Sequence, residues 1–224
     1  MLQSWLVPKV NEKTNKSIYA IEKLPIEILN QLQEEYVYNK NKDINDDIIN
    51  QEAIISTVFN QLKSPTYYYP ISNKLMKTLE DVVIQMTSRI WNISITNLEI
   101  TSSYGIREYR DNAIISWHTD PPLTQPLTAI IHIDHGKSSN NNNNDNNNNN
   151  NNNDNNKWEF QIAKISIESQ VIDIDNIVLD AGDVLLLESG SLPHARINTL
   201  HDDYYGNCFV HLREKGWSLP INDL

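Results

Sequence analysis

The sequence contains very little cysteine and comparatively little basic charge. Cys208 is the only cysteine among 224 residues, so no disulfide can form within the chain, and a disulfide-stapled secreted domain is excluded. The 29 acidic residues outnumber the 18 basic ones and give a formal net charge of -11. Nucleic-acid backbones and anionic membranes both require a basic surface. We therefore expect neither a nucleic acid nor a membrane as partner.

Long apolar runs are also missing. No stretch approaches the about 20 apolar residues of a membrane span. The segment from Met1 to Lys9 has neither the basic start nor the apolar length of a signal peptide. We therefore expect an intracellular, cytoplasmic protein, and the 39% of hydrophobic residues suffice for one domain with a substantial core.

One tract of low complexity interrupts the chain. Residues 140–156 are asparagine except for Asp145 and Asp154. Such a tract buries no apolar surface and cannot offset the entropy lost on ordering, so it predicts a disordered loop at about residues 138–157, inserted between two strands. A structural scaffold that self-associates through this tract is an alternative interpretation.

The spacing of hydrophobic residues changes near residue 97. Before that point, apolar residues at helical spacing predict a helical support region over residues 1–97, with an extended segment at 67–70. The predicted helices are 25–36, 43–62 and 73–91. Over residues 98–217, short β-branched segments separated by turns predict strands. The pattern favours an α+β, mainly β fold, in which helices buttress a β-barrel or sandwich.

A metal-binding pattern lies at the end of one of these predicted strands. His118 and Asp120 are two residues apart, so their side chains point to the same side of an extended segment, and Pro121 ends that strand. His194, at the start of a distant segment, can supply a third ligand. Two histidines and one carboxylate form the facial ligand set of non-haem Fe(II) oxygenases. The alternative is a surface pair of His118 and Asp120 beside an ordinary loop histidine.

The remaining histidines are weaker candidates. His132 and Asp134 form a second His-x-Asp sequence, but it runs directly into the asparagine tract, where ligands would be poorly held. His201 lies in a polar turn and His211 within a predicted strand, positions that are typical of solvated or structural histidines.

Three ordered segments around these residues resemble prolyl 4-hydroxylase-like 2-oxoglutarate oxygenases. Residues 104–120 resemble the segment that leads to the first two iron ligands, residues 182–196 the segment of the distal histidine, and residues 204–211 the strand that follows it. The resemblance covers residues 98–217. It implies a double-stranded β-helix domain, that is, a jelly-roll or cupin-like barrel.

The same resemblance implies an activity, that of an Fe(II)- and 2-oxoglutarate-dependent dioxygenase. His118, Asp120 and His194 would bind Fe(II) and carry the catalysis, 2-oxoglutarate would be the co-substrate, and ascorbate would serve as a reductant. The implied reaction is the hydroxylation of a C–H bond on a peptide or protein side chain such as proline, with a small molecule as the alternative substrate.

The resemblance also implies residues that bind the far carboxylate of 2-oxoglutarate. Tyr109 stands nine residues before the first histidine, and Thr128 matches a barrel-facing threonine. The position ten residues after the distal histidine, usually a lysine, holds Tyr204, which departs from the pattern. Arg196 is the nearest basic residue and Arg213 the next. Because of this departure, a catalytically inactive β-barrel binding module of the same fold remains an alternative.

Overall fold

The computed structural model describes residues 18–42, 66–136, 158–166 and 171–218. The helix predicted at 43–62 and the loop predicted at 138–157 lie outside the described residues. The helices are α1 (Ile26–Lys42) and α2 (Asn73–Trp91), and the strands are β1 (Tyr19–Lys23), β2 (Thr66–Tyr69), β3 (Leu98–Arg110), β4 (Ile115–His118), β5 (Leu127–Gly136), β6 (Phe160–Ser166), β7 (Val171–Ile177), β8 (Asp183–Leu187), β9 (His194–Arg196) and β10 (Tyr204–Glu214).

The strands form two antiparallel sheets. Within the described ranges, the larger sheet has six strands in the order β1-β8-β5-β10-β3-β2, and the smaller has four in the order β4-β9-β6-β7. Strands that follow one another along the chain often lie in different sheets, as β3 and β4 do, and as β8 and β9 do. This arrangement is the predicted jelly-roll or double-stranded β-helix, so the expected fold class is confirmed.

The two helices cover the outer face of the larger sheet. The side chain of Ser72 caps α2 by accepting a hydrogen bond from the backbone N–H of Leu75, and Asn92 ends the helix in the left-handed conformation with φ of 56°. Buried residues recur every three or four positions of α2, so one helix face packs on the sheet. These residues are Leu75, Leu79, Val83 and Met86. In the described ranges, neither helix is long and apolar enough to cross a bilayer.

Alternation along β5 divides the apolar residues between two cores. Ala129, Ile131 and Ile133 belong to the cluster beneath the helices, whereas Ile130 packs in the space between the two sheets. Both faces of this central strand are buried, which explains its nearly continuous apolar sequence. The inner cluster also contains Phe160, Ile162, Leu185 and Leu187.

The N-terminal region also contributes strands to the barrel. The extended segment predicted at 67–70 is present as β2, which pairs with β3. The prediction did not include β1, which pairs with β8 and places Tyr19 opposite Leu187. The five residues of β1 form a strand only by pairing with residues 160 to 168 positions further along the chain, and no local pattern in the sequence carries that information.

Candidate active site

Three predicted ligands meet where β4 and β9 lie side by side. His118 and His194 are partners in the pairing of these strands, and the backbone N–H of Asp120 donates to the Ser189 carbonyl over 2.9 Å. Oδ1 of Asp120 lies 4.0 Å from Nε2 of each histidine. One ligand atom from each of the three residues lies within 4.8 Å of the others, so a single ion can contact all three.

Backbone carbonyls orient both imidazoles. Nδ1 of His118 is 2.8 Å from the Ser116 carbonyl oxygen, and Nδ1 of His194 is 2.9 Å from the Leu192 carbonyl oxygen. A carbonyl oxygen only accepts, so Nδ1 carries the hydrogen in both rings. In the neutral form of each ring the lone pair then lies on Nε2, which points to the shared space, and this is the arrangement of metal-binding histidines.

A hydroxyl group orients the carboxylate of Asp120. The Thr128 hydroxyl donates to Oδ2 over 2.9 Å, which leaves Oδ1 facing the two histidines. The same hydroxyl oxygen lies 2.6 Å from Oγ of Ser189 and 2.8 Å from Nδ1 of His211. Thr128 therefore contacts a candidate metal ligand, a role that is additional to the contact with 2-oxoglutarate that the sequence predicts.

The protonation states of two ligands suit a cation. Burial lowers the pKa of His194 to about 4, so its imidazole is neutral at neutral pH. Burial alone would raise the pKa of Asp120, but the charges of His194 and His211 and hydrogen bonds from Ser189 and Thr128 bring it below its usual value. A neutral imidazole and an ionised carboxylate are the forms that bind a metal ion.

The three ligands open into a cavity of about 370 Å³ between the sheets. This volume lies in the range of small-molecule sites in proteins. Tyr109, Thr128 and Arg196, three of the residues that the sequence predicts to bind 2-oxoglutarate, all line it. His194 and Arg196 are two residues apart on β9, so the strand presents both side chains to the same cavity.

Arg196 is a buried cation held among aromatic rings. Only 1% of its surface is exposed. Its guanidinium carbon lies 4.7 Å from the ring centre of Trp158 and 4.6 Å from that of Tyr205, and it donates hydrogen bonds to the Trp158 carbonyl and the Tyr205 hydroxyl. No carboxylate in the described part of the chain forms an ion pair with it. A buried cation without a counter-charge is costly, so an anionic ligand would stabilise it.

Tyr204, which the family spacing places at the co-substrate site, does not line this cavity. Its hydroxyl donates to Oδ2 of Asp134 over 3.1 Å, and Nζ of Lys40 in α1 lies 3.9 Å from its ring centre, so it faces the helices. Side chains alternate along a strand, and the next residue, Tyr205, faces the interior and contacts Arg196. The inward position of β10 is therefore one residue later than the family spacing implies.

Among the residues that the structure describes, the second His-x-Asp sequence belongs to no group of side chains that could hold a metal ion. His132 donates from Nδ1 to the Gly206 carbonyl over 3.1 Å, and its Nε2 lies 2.8 Å from Nδ1 of His135. The side chain of Asp134 instead accepts the hydrogen bond from Tyr204. The other basic candidate, Arg213, pairs with Glu99 over 2.5 Å and does not line the cavity.

Sequence reasoning missed several residues that line the cavity. Arg107 lies two residues before Tyr109 on β3 and faces the same way. On β10, alternate residues after Tyr205 face the cavity, and these are Asn207, Phe209 and His211. The period of two along each strand would have found them once the inward position of Tyr205 was known.

Comparison by sequence finds no relatives: no family model and no curated protein matches the chain. Solved structures do match. A prolyl-4-hydroxylase from Pseudomonas putida is 11% identical with a TM-score of 0.55, and the match covers 92% of this chain and 98% of that one. A prolyl hydroxylase from Trichoplax adhaerens, in complex with a peptide of the hypoxia inducible factor oxygen degradation domain, is 12% identical with a TM-score of 0.59 and coverages of 96% and 94%.

A third similar structure has a different type of bound molecule. HygX from Streptomyces hygroscopicus, with nickel, 2-oxoglutarate and hygromycin B bound, is 10% identical with a TM-score of 0.57, and the match covers 92% of this chain and 87% of that one. The chain thus has the fold of prolyl 4-hydroxylase-like 2-oxoglutarate and Fe(II) oxygenases.

Proposed function

We propose that this protein is an Fe(II)- and 2-oxoglutarate-dependent dioxygenase that hydroxylates a C–H bond on a peptidyl side chain such as proline. The observation that carries the proposal is the joint presence, in one cavity, of the His118, Asp120 and His194 cluster and the buried Arg196. A structural role alone would not require, beside three convergent ligand atoms, a buried guanidinium that forms no ion pair within the described ranges.

The donor set of the cluster fits Fe(II). Two imidazole nitrogens and one carboxylate oxygen, on one side of a cavity, leave the remaining coordination positions open to ligands. Both histidines are fixed by backbone carbonyls and Asp120 is fixed by Thr128, so the three ligand atoms already point to one place. When bound, Fe(II) with 2-oxoglutarate and dioxygen supplies the oxidation of C–H to C–OH, coupled to decarboxylation of 2-oxoglutarate to succinate.

Arg196 provides the counter-charge for the far carboxylate of 2-oxoglutarate. Its planar guanidinium is held by the rings of Trp158 and Tyr205, so little side-chain entropy is lost when a carboxylate binds. Tyr109 lines the same cavity and is 3% exposed, and its hydroxyl supplies a second donor. The apolar side chains of Ile115, Ile130 and Phe160 exclude water from the space between the anchor and the ligands.

The rim of the cavity supports a peptide as substrate. Leu123, in the turn after β4, is 52% exposed. Exposed large apolar residues next to a site are typical of surfaces that bind a partner. Pro121, two residues before Leu123, lines the cavity. The peptide complex of the similar Trichoplax prolyl hydroxylase also supports this choice, while the hygromycin B complex of HygX favours a small molecule as the second candidate.

The position of Tyr204 removes the main support for the alternative of an inactive binding module. That interpretation rested on the absence of a cation from the co-substrate site. Because Tyr204 lies outside the cavity and Arg196 lies within it, the chain retains a cation for the co-substrate.

The first experiment is an anaerobic titration of the apo-protein with Fe(II) and 2-oxoglutarate, followed by the visible metal-to-ligand charge-transfer band. We expect a band that requires both additions and is absent in His118→Ala. Folded, iron-loaded protein without a band would contradict the proposal.

Succinate release in the presence of prolyl peptides is the second readout, and Asp120→Ala should abolish it, because only Oδ1 of that residue faces both histidines. Persistent turnover in this variant would refute the role of Asp120.

A further inference from the structure

We infer that the side-chain amide of Asn207 donates a hydrogen bond to the far carboxylate of 2-oxoglutarate, and that His132 and His135 hold the amide in the orientation that this bond requires. The inference rests on the proposed function and deepens it, since it assigns a second kind of donor to the carboxylate that Arg196 binds. It also gives the histidines of the second His-x-Asp segment a function, as residues that position Asn207.

Asn207 lies in the wall of the cavity beside the anchor. Only 1% of its surface is exposed, and Asn207, Phe209 and His211 of β10 all line the cavity. His211 is at the end of this row that approaches the metal ligands. At the other end, Asn207 follows Tyr205, whose hydroxyl is contacted by the Arg196 guanidinium. Among the three lining residues of β10, Asn207 is therefore the one next to the anchor.

A hydrogen bond from His132 fixes which end of the amide faces the cavity. Nδ1 of His132 lies 3.1 Å from the Gly206 carbonyl oxygen and 3.2 Å from Oδ1 of Asn207. A carbonyl oxygen only accepts, so Nδ1 carries the hydrogen, and Asn207 turns its oxygen to it. The NH2 group then lies on the side away from His132. Among the described residues this group has no hydrogen-bond partner, so an acceptor bound in the cavity would remove the cost of a buried, unpaired donor.

A second histidine fixes the proton on the first. Nε2 of His132 lies 2.8 Å from Nδ1 of His135. Burial lowers the pKa of His132 to about 3, so its ring is neutral and its Nε2 accepts. Nδ1 of His135 is therefore the donor. His135 donates to His132 and His132 donates to Asn207, and each of these bonds sets the direction of the next.

The amide and the anchor lie beside the same aromatic ring. The imidazole of His132 stacks on Tyr205 with ring centres 4.0 Å apart, and the guanidinium carbon of Arg196 is 4.6 Å from the same ring centre. The amide that His132 holds is thus close to the cation. A carboxylate has two oxygens that accept several hydrogen bonds, so it can bind the guanidinium and the NH2 group together. An apolar end group could bind neither.

The test compares two ligands that differ only in the far carboxylate. The protein is loaded with Mn(II) in place of iron and titrated calorimetrically with 2-oxoglutarate and with 2-oxopentanoate. Both ligands are five-carbon 2-oxo acids, but 2-oxopentanoate has a methyl group where 2-oxoglutarate has its far carboxylate. The ratio of the two dissociation constants therefore reports the contacts made to that carboxylate, without any turnover.

Substitutions of Asn207 should change this ratio. Asn207→Leu removes the N–H donors at nearly constant volume and should weaken 2-oxoglutarate about tenfold or more, which is the usual effect of losing a hydrogen bond to a charged group. Binding of 2-oxopentanoate should stay the same. Asn207→Asp keeps the shape and the acceptor for His132 but places a negative oxygen where the NH2 group was, so it should weaken 2-oxoglutarate further. Asn97→Leu, at an exposed position, is the matched control and should bind both ligands as the unaltered protein does.

Substitutions of His132 test its positioning role. His132→Phe removes the N–H that turns the amide and should weaken 2-oxoglutarate a few-fold, again without an effect on 2-oxopentanoate. His132→Asn places an N–H donor close to the position of the imidazole Nδ1 and should restore most of the affinity. A packing defect would weaken both ligands alike and would not be rescued by His132→Asn, and that result would refute the positioning role.

The outcomes separate this inference from the proposed function. If the unaltered, Mn(II)-loaded protein does not bind 2-oxoglutarate, the proposed function fails and the inference fails with it. If 2-oxoglutarate binds to the unaltered protein but Asn207→Leu leaves both affinities unchanged, or weakens both ligands to the same extent, only the assignment of Asn207 is wrong.

Discussion

The hydroxyl oxygen of Thr128 lies 2.9 Å from Oδ2 of Asp120, the carboxylate oxygen that points away from the two histidines. The hydroxyl has a single hydrogen, and donating it to Asp120 leaves a lone pair that can accept from Nδ1 of His211. A side chain on β5 thereby determines which oxygen of Asp120, a residue beyond the end of β4, can bind an ion.

Replacing Thr128 with valine should weaken metal binding while the co-substrate site is preserved. Valine has nearly the same shape but cannot donate, so the carboxylate rotates more freely, and loss of such a supporting contact typically costs 10–100-fold in metal affinity. The dissociation constant of Co(II), followed by its visible spectrum, measures this. Thr128→Ser keeps the hydroxyl and should retain most of the affinity. A raised 2-oxoglutarate requirement with unchanged Co(II) affinity would instead support direct contact with the co-substrate.

Removal of the Arg196 charge should strongly raise the 2-oxoglutarate requirement. Arg196→Ala loses the charge-assisted hydrogen bonds to the far carboxylate, which are worth about 1.5–3 kcal/mol each, so the dissociation constant should rise at least about tenfold. Arg196→Met keeps more of the volume that packs against Trp158 and Tyr205 and separates the loss of charge from a packing defect. Iron binding should survive in both variants. An unchanged requirement for 2-oxoglutarate would refute the assignment of Arg196.

Substitution of the neighbouring residues Tyr204 and Tyr205 of β10 should affect 2-oxoglutarate binding to different extents. Tyr205→Phe removes the hydroxyl that Arg196 contacts and should raise the dissociation constant of 2-oxoglutarate by a few-fold, since that contact is long at 3.4 Å. Tyr204→Phe removes only the hydrogen bond to Asp134 on the helix side, and 2-oxoglutarate should bind as before. Isothermal titration with both variants measures the difference. A larger effect from Tyr204→Phe would mean that β10 is shifted by one residue.

Acidification should destabilise the protein through a buried histidine outside the metal site. Burial lowers the pKa of His132 to about 3, and the charges of His135 and Arg196 contribute. Its pKa in the unfolded chain is about 6.5, so below that pH only the unfolded state gains this proton. The stability contributed by neutral His132 is therefore complete above about pH 6.5 and is lost towards pH 3, by about 1.4 kcal/mol per pH unit.

Urea unfolding at several pH values measures this loss. His132→Phe keeps a ring that can stack on Tyr205, whose ring centre lies 4.0 Å away, and should flatten the dependence of the unfolding free energy on pH between 6.5 and 4. The matched control is His201→Gln at an exposed position, which should leave the slope unaltered. If the unfolding free energy depended on pH in the same way in the unaltered protein, His132→Phe and His201→Gln, His132 would not be the responsible group.

Local patterns in the sequence predicted most of the fold, and long-range pairings account for the rest. The helical spacing at 73–91 coincides with α2, because a helix buries one face whose period is visible in the sequence. β1 has only five residues, and its strand structure depends on hydrogen bonds to β8. Such pairing is decided by tertiary contacts that a short segment does not encode.

The positions of the candidate site residues could be predicted where a sequence motif fixed their spacing. They could not be predicted where they depended on the register of a strand. His118 and Asp120 lie on one short segment, and His194 and Arg196 lie on another. Within each segment, the number of residues between the two positions determines how far apart they lie in the structure. Tyr204 was placed by counting from the distal histidine across a loop. A count across a loop has no fixed relation to which face of β10 a residue occupies, and an error of one residue reverses that face.

The three-residue strand β9 determines the distance between His194 and Arg196 as well as the face on which they lie. His194 and Arg196 are neighbours on one face of an extended backbone, which rises by about 3.3 Å per residue, so their Cα atoms are about 6.6 Å apart. The chain cannot lengthen or shorten this interval without losing the pairing of β9 with β4 and β6. The strand therefore fixes the distance between the proposed metal ligand His194 and the proposed co-substrate anchor Arg196. We expect the protein to bind the five-carbon diacid 2-oxoglutarate in preference to homologues one carbon shorter or longer.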